Sequence, residues 1–533
     1  MGRQNDDSFE ELQRNKRRKL QSADERMKEF NNPAKSTHQT GKGRKARRKK
    51  RSFAKNLGMV LFSLQAILTV IFLWVIFSLN ILPMKFTVLL LIVLLALLGV
   101  VFYTQKRHKG KASYGKSLSI LMIIILAAGS YYLGMINGAF NKVIGGTHKI
   151  DNMVVAVLKD DPAETIQDAK DYTFGVQYQL GAEDVRQTID EINKEVNSEI
   201  NVTEYVDVAE QAEALFEGSV KAIIYNEGYA GILEEEIANY QSEVKIIYSH
   251  EITKELLNSS VENINVKNTT FNVYLSGIDV YGSIKRTSRS DVNIIATVNT
   301  ETHQILLTTT PRDYYVTIPD VSKGKRDKLT HAGIYGVDAS IATLENLYET
   351  EIPFYARVNF TSIIDIVDEL GGVDVNSKYS FKTIDGMKVK KGMNHFNGKQ
   401  ALAFSRERKN VPGGDYQRGK NQQAVIVAII QKMISPKILV SASGIIDSVS
   451  GSVETNMSQN QLQDLIKSQL NKGGSWNIYS VAAEGKGKSD YTYSMPGRKL
   501  YVSEPVQESV QNIIDLMKRV QNGEIIEGSE VAQ

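Results

Sequence analysis

The stretch TFNVYLSGIDVYGSIKRTSRSDVNIIATVNTETHQILLTTTPRD, residues 270–313, decides the fold of the C-terminal half of this chain. Its apolar, β-branched runs predict three strands, at 271–277, 291–299 and 304–310, and the turn at 300–303 pairs the last two. Together with the helical patterns that follow, they predict one α/β domain over residues 268–525, a central mixed sheet flanked by helices. The predicted helices are 339–348, 360–370, 419–433, 459–470 and 507–520, and a further strand is predicted at 477–481.

A smaller α/β domain is predicted before it, over residues 147–262, because short apolar strands alternate there with acidic helical patterns. No cluster of catalytic residue types stands out in this segment, so we expect an accessory module. Its predicted strands are 153–158, 221–225 and 244–248, and its predicted helices are 182–196 and 208–216.

Three apolar runs, 57–79, 86–103 and 118–136, precede both domains. Each has about the ~20 residues that a helix needs to cross the hydrocarbon core of a bilayer. Residues 57–137 are therefore predicted to form an all-α anchor of three membrane spans.

Basic residues flank these spans unevenly. Nine Lys and Arg lie in 41–55 and five in the connection at 105–116, whereas the connection at 80–85 holds Lys85 alone. The positive-inside rule then places the N-terminus in the cytoplasm and both α/β domains outside the cell. The chain has no cysteine, which favours a Gram-positive surface over a eukaryotic secretory route.

Residues 1–56 carry 18 Lys and Arg against 7 Asp and Glu, and we expect them to form a disordered basic head. The run GKGRKARRKKR, residues 41–51, has enough charge to bind nucleic acid. Because it lies directly before a span, we favour contact with anionic lipid and expect no nucleic-acid partner.

Arginines and acidic residues gather in three segments of the larger domain. Arginine presents a planar fork of donors that matches phosphate oxygens two at a time, and carboxylates beside such a cluster attract Mg²⁺. The pattern predicts metal-assisted phosphoryl transfer. Its members are Asp279, Arg289 and Asp291 in the first segment, Arg312 in the second, and Arg406, Arg408, Arg418 and Gln422 in the third.

Each set also has a simpler interpretation. Asp279 and Asp291 lie at neighbouring strand ends, where they either meet at one metal or cap their turns. Arg406 and Arg408 point to the same side if their segment is extended, or they belong to a solvated basic surface. Arg312 would form an ordinary local ion pair with the aspartate that follows it.

Seven motifs carry a resemblance to a known family. They are SGID at 276–279, RSD at 289–291, TTTPRD at 308–313, KLTHAGIYGV at 328–337, DELGGVDV at 368–375, NGKQALAFSRER at 397–408 and GDYQRGKNQQ at 414–423. In this order they resemble the LytR-CpsA-Psr family of cell-envelope phosphotransferases. The three-span anchor and the extra domain are similar to its streptococcal capsule branch, the CpsA-like proteins.

The resemblance implies an enzyme that attaches a capsular polysaccharide or another glycopolymer, carried on undecaprenyl pyrophosphate, to a peptidoglycan acceptor. It implies Mg²⁺ as the cofactor, held by Asp279 and Asp291, and catalytic roles for these two with Arg312, Arg406 and Arg408. The implied partners also include membrane lipid and other capsule-assembly proteins. The implied pyrophosphate ligands are Arg289, Arg312, Arg406, Arg408, Arg418 and Gln422.

Two other functions stay open on the sequence. A scaffold for capsule synthesis would bind polyprenyl pyrophosphate without turnover, and a regulator would act through the basic head, which has no helix-turn-helix pattern. Asp313 and Asp415 are both candidate bases for the acceptor hydroxyl, and the sequence does not choose between them.

Overall fold

The computed structural model describes residues 41–106, 111–143, 148–256, 261, 263–278, 284–359, 363–433 and 453–528. Three long helices come first: α1 (Gly41–Leu79), α2 (Met84–Lys106) and α3 (Lys111–Val143). Their apolar parts are long enough to cross a membrane, which confirms the three predicted spans. The spanning parts are Asn56–Leu79, Met84–Gln105 and Ser113–Met135.

The first helix begins earlier than the sequence predicted. Residues 41–56 are helical, so the expectation of disorder is wrong for this part of the basic head, and residues 1–40 lie outside the described residues. Lysine, arginine and alanine have high helix propensity, and extending a helix that already exists needs no new nucleus.

The smaller domain is built on a five-stranded mixed sheet in the order β3-β2-β4-β1-β5. Residues of β1 alternate between two apolar clusters, Val154 and Ala156 on one face, Met153 and Val155 on the other. This period of two buries both faces of the sheet. The strands are β1 (His148–Leu158), β2 (Thr173–Val176), β3 (Asn201–Glu204), β4 (Ala222–Asn226) and β5 (Val244–Glu255); the helices are α4 (Ala182–Val196), α5 (Val208–Phe216), α6 (Ala230–Glu236) and α7 (Tyr240–Glu243).

The larger domain is built on a six-stranded mixed sheet, and the three strands predicted in 270–313 are confirmed as β6, β7 and β8 in its interior. Its strands are β6 (Thr270–Ile278), β7 (Ser290–Asn299), β8 (Gln304–Thr310), β9 (Tyr315–Thr317), β10 (Arg326–Lys328), β11 (Phe354–Asn359), β12 (Val373–Ser377), β13 (Phe381–Lys382), β14 (Lys388–Val389), β15 (Gly392–Phe396), β16 (Val453–Thr455), β17 (Asn477–Ala482), β18 (Gly485–Tyr491) and β19 (Lys499–Pro505). The six-stranded sheet has the order β16-β11-β6-β7-β8-β17. In it β11 pairs with β6 and β17 with β8 in parallel, and the remaining pairs are antiparallel.

Helices cover both faces of this sheet. Ile295 and Leu306 belong to the cluster on one face with α9 and α14, and Ile294 and Leu307 belong to the cluster on the other face with α10, α11 and α12. The central strands are therefore apolar at consecutive positions, as expected of strands that are covered on both sides. The helices are α8 (Leu329–Tyr335), α9 (Val337–Tyr348), α10 (Ile363–Glu369), α11 (Gly398–Arg406), α12 (Gly414–Met433), α13 (Gln459–Lys472) and α14 (Gln507–Gln521).

The smaller domain shares an apolar core with the larger one. Leu233 and Tyr240 lie in the same buried cluster as Tyr493 and Met495. At its margin the Arg498 guanidinium donates both terminal nitrogens to the Glu213 carboxylate, each at 2.9 Å. The shared core holds α6, and the bidentate pair holds α5, against the larger domain. The bounds 147–262 and 268–525 remain predictions for where the two domains begin and end.

Candidate functional site

The start of β7 and the end of β8 form the edge on which the candidate site lies. The two strands are antiparallel, with Asn293 opposite Thr310, so residues just before Asn293 lie beside residues just after Thr310. Arg289 and Asp291 are thereby brought to Arg312, although about twenty residues separate them in the chain. The β hairpin that the sequence predicts is what assembles this part of the site.

Asp291 and Arg312 make the central contact. Arg312 Nη1 donates to Asp291 Oδ1 at 3.0 Å. The Arg312 side chain is 15% exposed and the Asp291 side chain is 12% exposed. Thr330 Oγ1 donates to the same carboxylate oxygen at 3.3 Å. The pair is therefore largely removed from solvent, where a charge-assisted hydrogen bond is strong.

Three arginines lower the pKa of the Asp291 carboxylate. Burial by itself raises this pKa, but Arg312, Arg289 and Arg418 together outweigh burial and lower the pKa to about 2. Asp291 thus carries a negative charge at any physiological pH. The three arginines come from all three predicted segments, so the fold brings those segments to one place.

Asp313 faces a second cation besides Arg312. Lys328 Nζ lies 2.9 Å from Asp313 Oδ1, whereas Arg312 Nε lies 3.7 Å from Asp313 Oδ2. The local Arg312–Asp313 pair that the sequence suggested is thus a secondary contact. Among the described contacts of Arg312, those with the carboxylates of Asp291 and Glu235 are shorter, and both partners come from elsewhere in the chain.

Arg406 and Arg408 do not lie on one extended segment. Arg406 is the last residue of α11, and the backbone turns extended at Glu407. The extended interpretation is therefore wrong for Arg406, because the capping box of Asn397 and Gln400 starts a helix that runs up to it. Both arginine side chains are exposed.

Buried Glu407 shapes the loop that carries Arg408. Its carboxylate accepts hydrogen bonds from the backbone N–H groups of Ile384, Lys409 and Asn410, at 2.7, 2.9 and 2.9 Å. Burial by itself raises the pKa of Glu407, but the backbone donors lower this pKa by a larger amount. The net shift of the Glu407 pKa is therefore downward. A buried charged anchor of this kind keeps the arginine loop in one conformation.

Arg418 and Gln422 lie on α12, which begins at Gly414, five residues earlier than predicted. Their spacing of four puts them on one helix face, as the sequence predicts. Gln422 is buried and Arg418 is partly buried. Asn421 Nδ2, at 3.4 Å from the carbonyl oxygen of Phe404, links α12 to α11 and so to the arginine loop.

Two predicted residues fall outside the described side chains. Asp279 lies among residues 279–283, and the side chain of Asp415 is likewise not described. Within the described residues, no group of three or more His, Cys, Asp and Glu side chains is placed to hold a metal ion. Mg²⁺ usually takes one or two carboxylates and fills its remaining positions with waters and substrate phosphates. The Asp291 carboxylate fits such a ligand by chemistry and by charge.

Three members of this cluster were not among the predicted site residues: Lys328, Thr330 and, from α6 of the smaller domain, Glu235. Glu235 Oε1 lies 2.8 Å from Arg289 Nη1 and 3.2 Å from Arg312 Nη2. Burial raises its pKa, but Arg289, Arg312 and Lys328 outweigh burial and lower the pKa to about 2. Nothing in the sequence distinguishes it from its neighbours, since residues 234–236 are all glutamate.

The chain is similar to a known protein family and to several of its members. Residues 237–513, more than half of the chain, match the model of the LytR-CpsA-Psr family. The polyisoprenyl-teichoic acid–peptidoglycan teichoic acid transferase TagU of Bacillus mycoides is 39% identical over 206 residues, 38% of this chain and 66% of that protein. TagU of Bacillus anthracis is 38% identical over 211 residues, 39% of this chain and 68% of that protein.

These matches span about two thirds of the length of the curated relatives. Among solved structures, B. subtilis TagV covers 48% of this chain and 99% of its own, with 27% identity and a TM-score of 0.40. B. subtilis TagU covers 49% of this chain and 100% of its own, with 28% identity and a TM-score of 0.38. By the family match and the identity to these relatives, the chain belongs to the LytR-CpsA-Psr family.

Proposed function

We propose that this protein is a membrane-anchored phosphotransferase that moves a glycopolymer, such as a capsular polysaccharide, from an undecaprenyl-pyrophosphate carrier to peptidoglycan. The observation that carries the proposal is the gathering of Arg289, Arg312 and Arg418 around the Asp291 carboxylate. Such a cluster neutralises the several negative charges of a pyrophosphate. The names of the relatives, transferases that act on a polyisoprenyl-linked polymer and peptidoglycan, support the same reaction class.

The reaction joins a peptidoglycan hydroxyl to the phosphorus that carries the glycopolymer. The hydroxyl oxygen forms a new P–O bond, the bond from that phosphorus to the bridging oxygen of the pyrophosphate breaks, and polyprenyl phosphate leaves with that oxygen and the electron pair. The hydroxyl proton passes to Asp313 or to solvent water. The arginines hold the phosphoryl oxygens in line and stabilise the charge that grows on the leaving phosphate, which is most of what phosphoryl transfer needs.

We propose that Mg²⁺ binds at Asp291, with Asp279 as a second ligand. When bound, the ion would neutralise phosphate charge beside the arginines. The support is the ionised Asp291 carboxylate among the arginines. Arg406, Arg408 and Gln422 are proposed to complete the grip on the pyrophosphate, because their loop and helix are tied together through Asn421.

The anchor and its orientation suit this reaction. Three spans keep the site near a carrier whose polyprenyl chain lies in the same membrane, and membrane lipid is therefore a partner. We propose that both α/β domains lie outside the cell; the support is the distribution of basic residues around the spans, from which the positive-inside rule predicts this orientation. Other capsule-assembly proteins are proposed partners within the membrane.

The proposal is tested with the full chain in detergent micelles. The protein is incubated with a polyprenyl-pyrophosphate-linked oligosaccharide and peptidoglycan fragments, with Mg²⁺ or with a chelator, and products are followed by mass spectrometry. We expect an oligosaccharide–phosphate–peptidoglycan product that requires Mg²⁺ and falls by about 100-fold or more in Arg406→Ala.

Lys409→Ala is the matched control, because Lys409 is an exposed cation three residues from Arg406 and its contact to Glu407 is made by its backbone. Equal losses in Arg406→Ala and Lys409→Ala would indicate a diffuse basic surface. Tight binding of the carrier without any product would instead indicate a scaffold that does not turn over.

A further inference from the structure

Glu235 places one carboxylate oxygen between two arginines of the proposed pyrophosphate site. Its single oxygen Oε1 contacts Nη1 of Arg289 and Nη2 of Arg312, at 2.8 and 3.2 Å. Two guanidinium groups repel each other unless an anion lies between them. Carboxylate and phosphate oxygens accept hydrogen bonds from guanidinium groups in the same geometry, so a carboxylate here mimics the proposed substrate.

The position of this carboxylate is built into the fold. A Cβ atom at Gly231 would lie 2.5 Å from Arg289 Nη2, so α6 can approach this guanidinium closely because residue 231 is glycine. The next glutamate, Glu236, lies 3.6 Å from Arg498, which is itself held by Glu213. The helix is therefore held on the larger domain from both sides of Glu235.

The side chain of Glu235 is nevertheless open to solvent on one side. It is 37% exposed, whereas the side chains of Arg289 and Arg312 are each 15% exposed. Rotation about its χ angles moves the carboxylate into solvent without moving α6 or the shared core. A phosphate can then replace it at the same two guanidinium groups.

We propose that Glu235 is a further residue of the pyrophosphate site, contributed by the smaller domain, and that it sets the affinity of the site by occupying the Arg289 and Arg312 donors until pyrophosphate displaces it. The proposal rests on the pyrophosphate site of the proposed function. It gives the smaller domain a defined part in the reaction. The carboxylate keeps the two arginines together in the free enzyme and weakens binding enough for the polyprenyl phosphate product to leave.

The test compares Glu235→Gln with wild type and with Glu236→Gln, all as the full chain in micelles at one Mg²⁺ concentration. Glutamine has the shape of glutamate and keeps Oε1 but loses the charge. Inorganic pyrophosphate and geranyl pyrophosphate are titrated by calorimetry. We expect both probes to bind Glu235→Gln about ten-fold more tightly than wild type, because the ligand no longer displaces a charge-assisted contact.

Glu236→Gln is the matched control, since Glu236 is on the same helix turn and faces an arginine outside the site. Its affinity for both probes should equal that of wild type. Glu235→Ala should also bind more tightly, which separates loss of charge from any new amide contact. A gain confined to the two Glu235 variants supports the proposal.

Unchanged or weaker binding by Glu235→Gln would overturn the inference, because Glu235 would then position the arginines rather than compete with the ligand. If the wild-type protein still binds the two probes in that experiment, the result does not contradict the proposed function. If neither wild type nor Glu235→Gln binds either probe, both the proposed function and the inference are wrong.

Discussion

Replacing Arg312 with glutamine should separate the two tasks of this arginine. It donates to Asp291 at 3.0 Å and lies 3.2 Å from Glu235, so it both neutralises a buried carboxylate and offers donors to a ligand. Loss of one charge-assisted hydrogen bond to pyrophosphate costs about 1.5–3 kcal/mol, which is roughly a 10- to 150-fold loss of affinity.

The folded state should weaken as well. Asp291 is only 12% exposed and loses its direct guanidinium partner, but Arg289 and Arg418 still oppose its charge. We therefore expect a loss of about 1–2 kcal/mol in the free energy of unfolding, at the lower end of what an unpaired buried group costs. Adding Asp291→Asn should restore about 1 kcal/mol, because the uncompensated charge is gone.

The assay is urea unfolding of the full chain in micelles, without Mg²⁺, followed by tryptophan fluorescence in a Trp74→Phe background, where Trp476 is the one remaining tryptophan. This indole stacks on the His303 ring at 4.9 Å and so reports on the larger domain. The pyrophosphate affinity of the same variants is measured separately by calorimetry, at the Mg²⁺ concentration used for the Glu235 variants. Unchanged pyrophosphate affinity in Arg312→Gln, or a double variant no more stable than the single one, would refute these two roles of Arg312.

Three further outcomes are expected. Glu454→Ala should cost about 3–5 kcal/mol in urea unfolding, because Arg357, 3% exposed and 3.1 Å from Glu454, is left buried without its counter-charge; a loss under about 1 kcal/mol would contradict this. The pKa of Asp291 is about 2 in the folded protein, against its ordinary value of 3.8. The Asp291 charge therefore stabilises the folded state by about 2 kcal/mol above pH 4, and this stabilisation is lost as the pH falls toward 2. Asp291→Asn should flatten that part of the stability–pH curve, and an unchanged curve would assign the acid sensitivity to other groups. Deleting residues 1–40 should leave transfer activity in micelles unchanged, because the site residues lie after residue 234; an inactive deletion variant would favour the regulatory interpretation of the head.

The secondary structure of the larger domain followed closely from local patterns. The strands of 270–313, the turn at 300–303 and the helix that stops at Gly371 and Gly372 are present within a few residues of their predicted bounds. Helix starts were less accurate, since α12 begins at Gly414 rather than at residue 419. The first turn of α12 was not predicted because glycine at positions 413 and 414 weakens the helical pattern of the sequence. In the structure both glycines have a positive φ.

Part of the candidate site also followed from sequence. The predicted strand, turn and strand pair antiparallel as expected, and this pairing brings Asp291 beside Arg312, a contact that the sequence analysis did not predict. The backbone conformation at Arg406 and Arg408 could not be predicted from the sequence, because it depends on where the helix before them ends. That is decided by the buried Glu407, whose backbone partners come partly from Ile384, 23 residues away in the chain.

By itself, the sequence determined the properties that depend on neighbouring residues. These are the three membrane spans, which need only enough consecutive apolar residues; the alternation of strands and helices; and the kinds of side chain at the site. The tertiary structure alone decided how the smaller domain meets that site. Glu235 reaches Arg289 and Arg312 because two folded domains share one apolar core and Gly231 allows close approach. Contacts between surfaces far apart in the chain depend on the packing of both domains, and no local pattern records them.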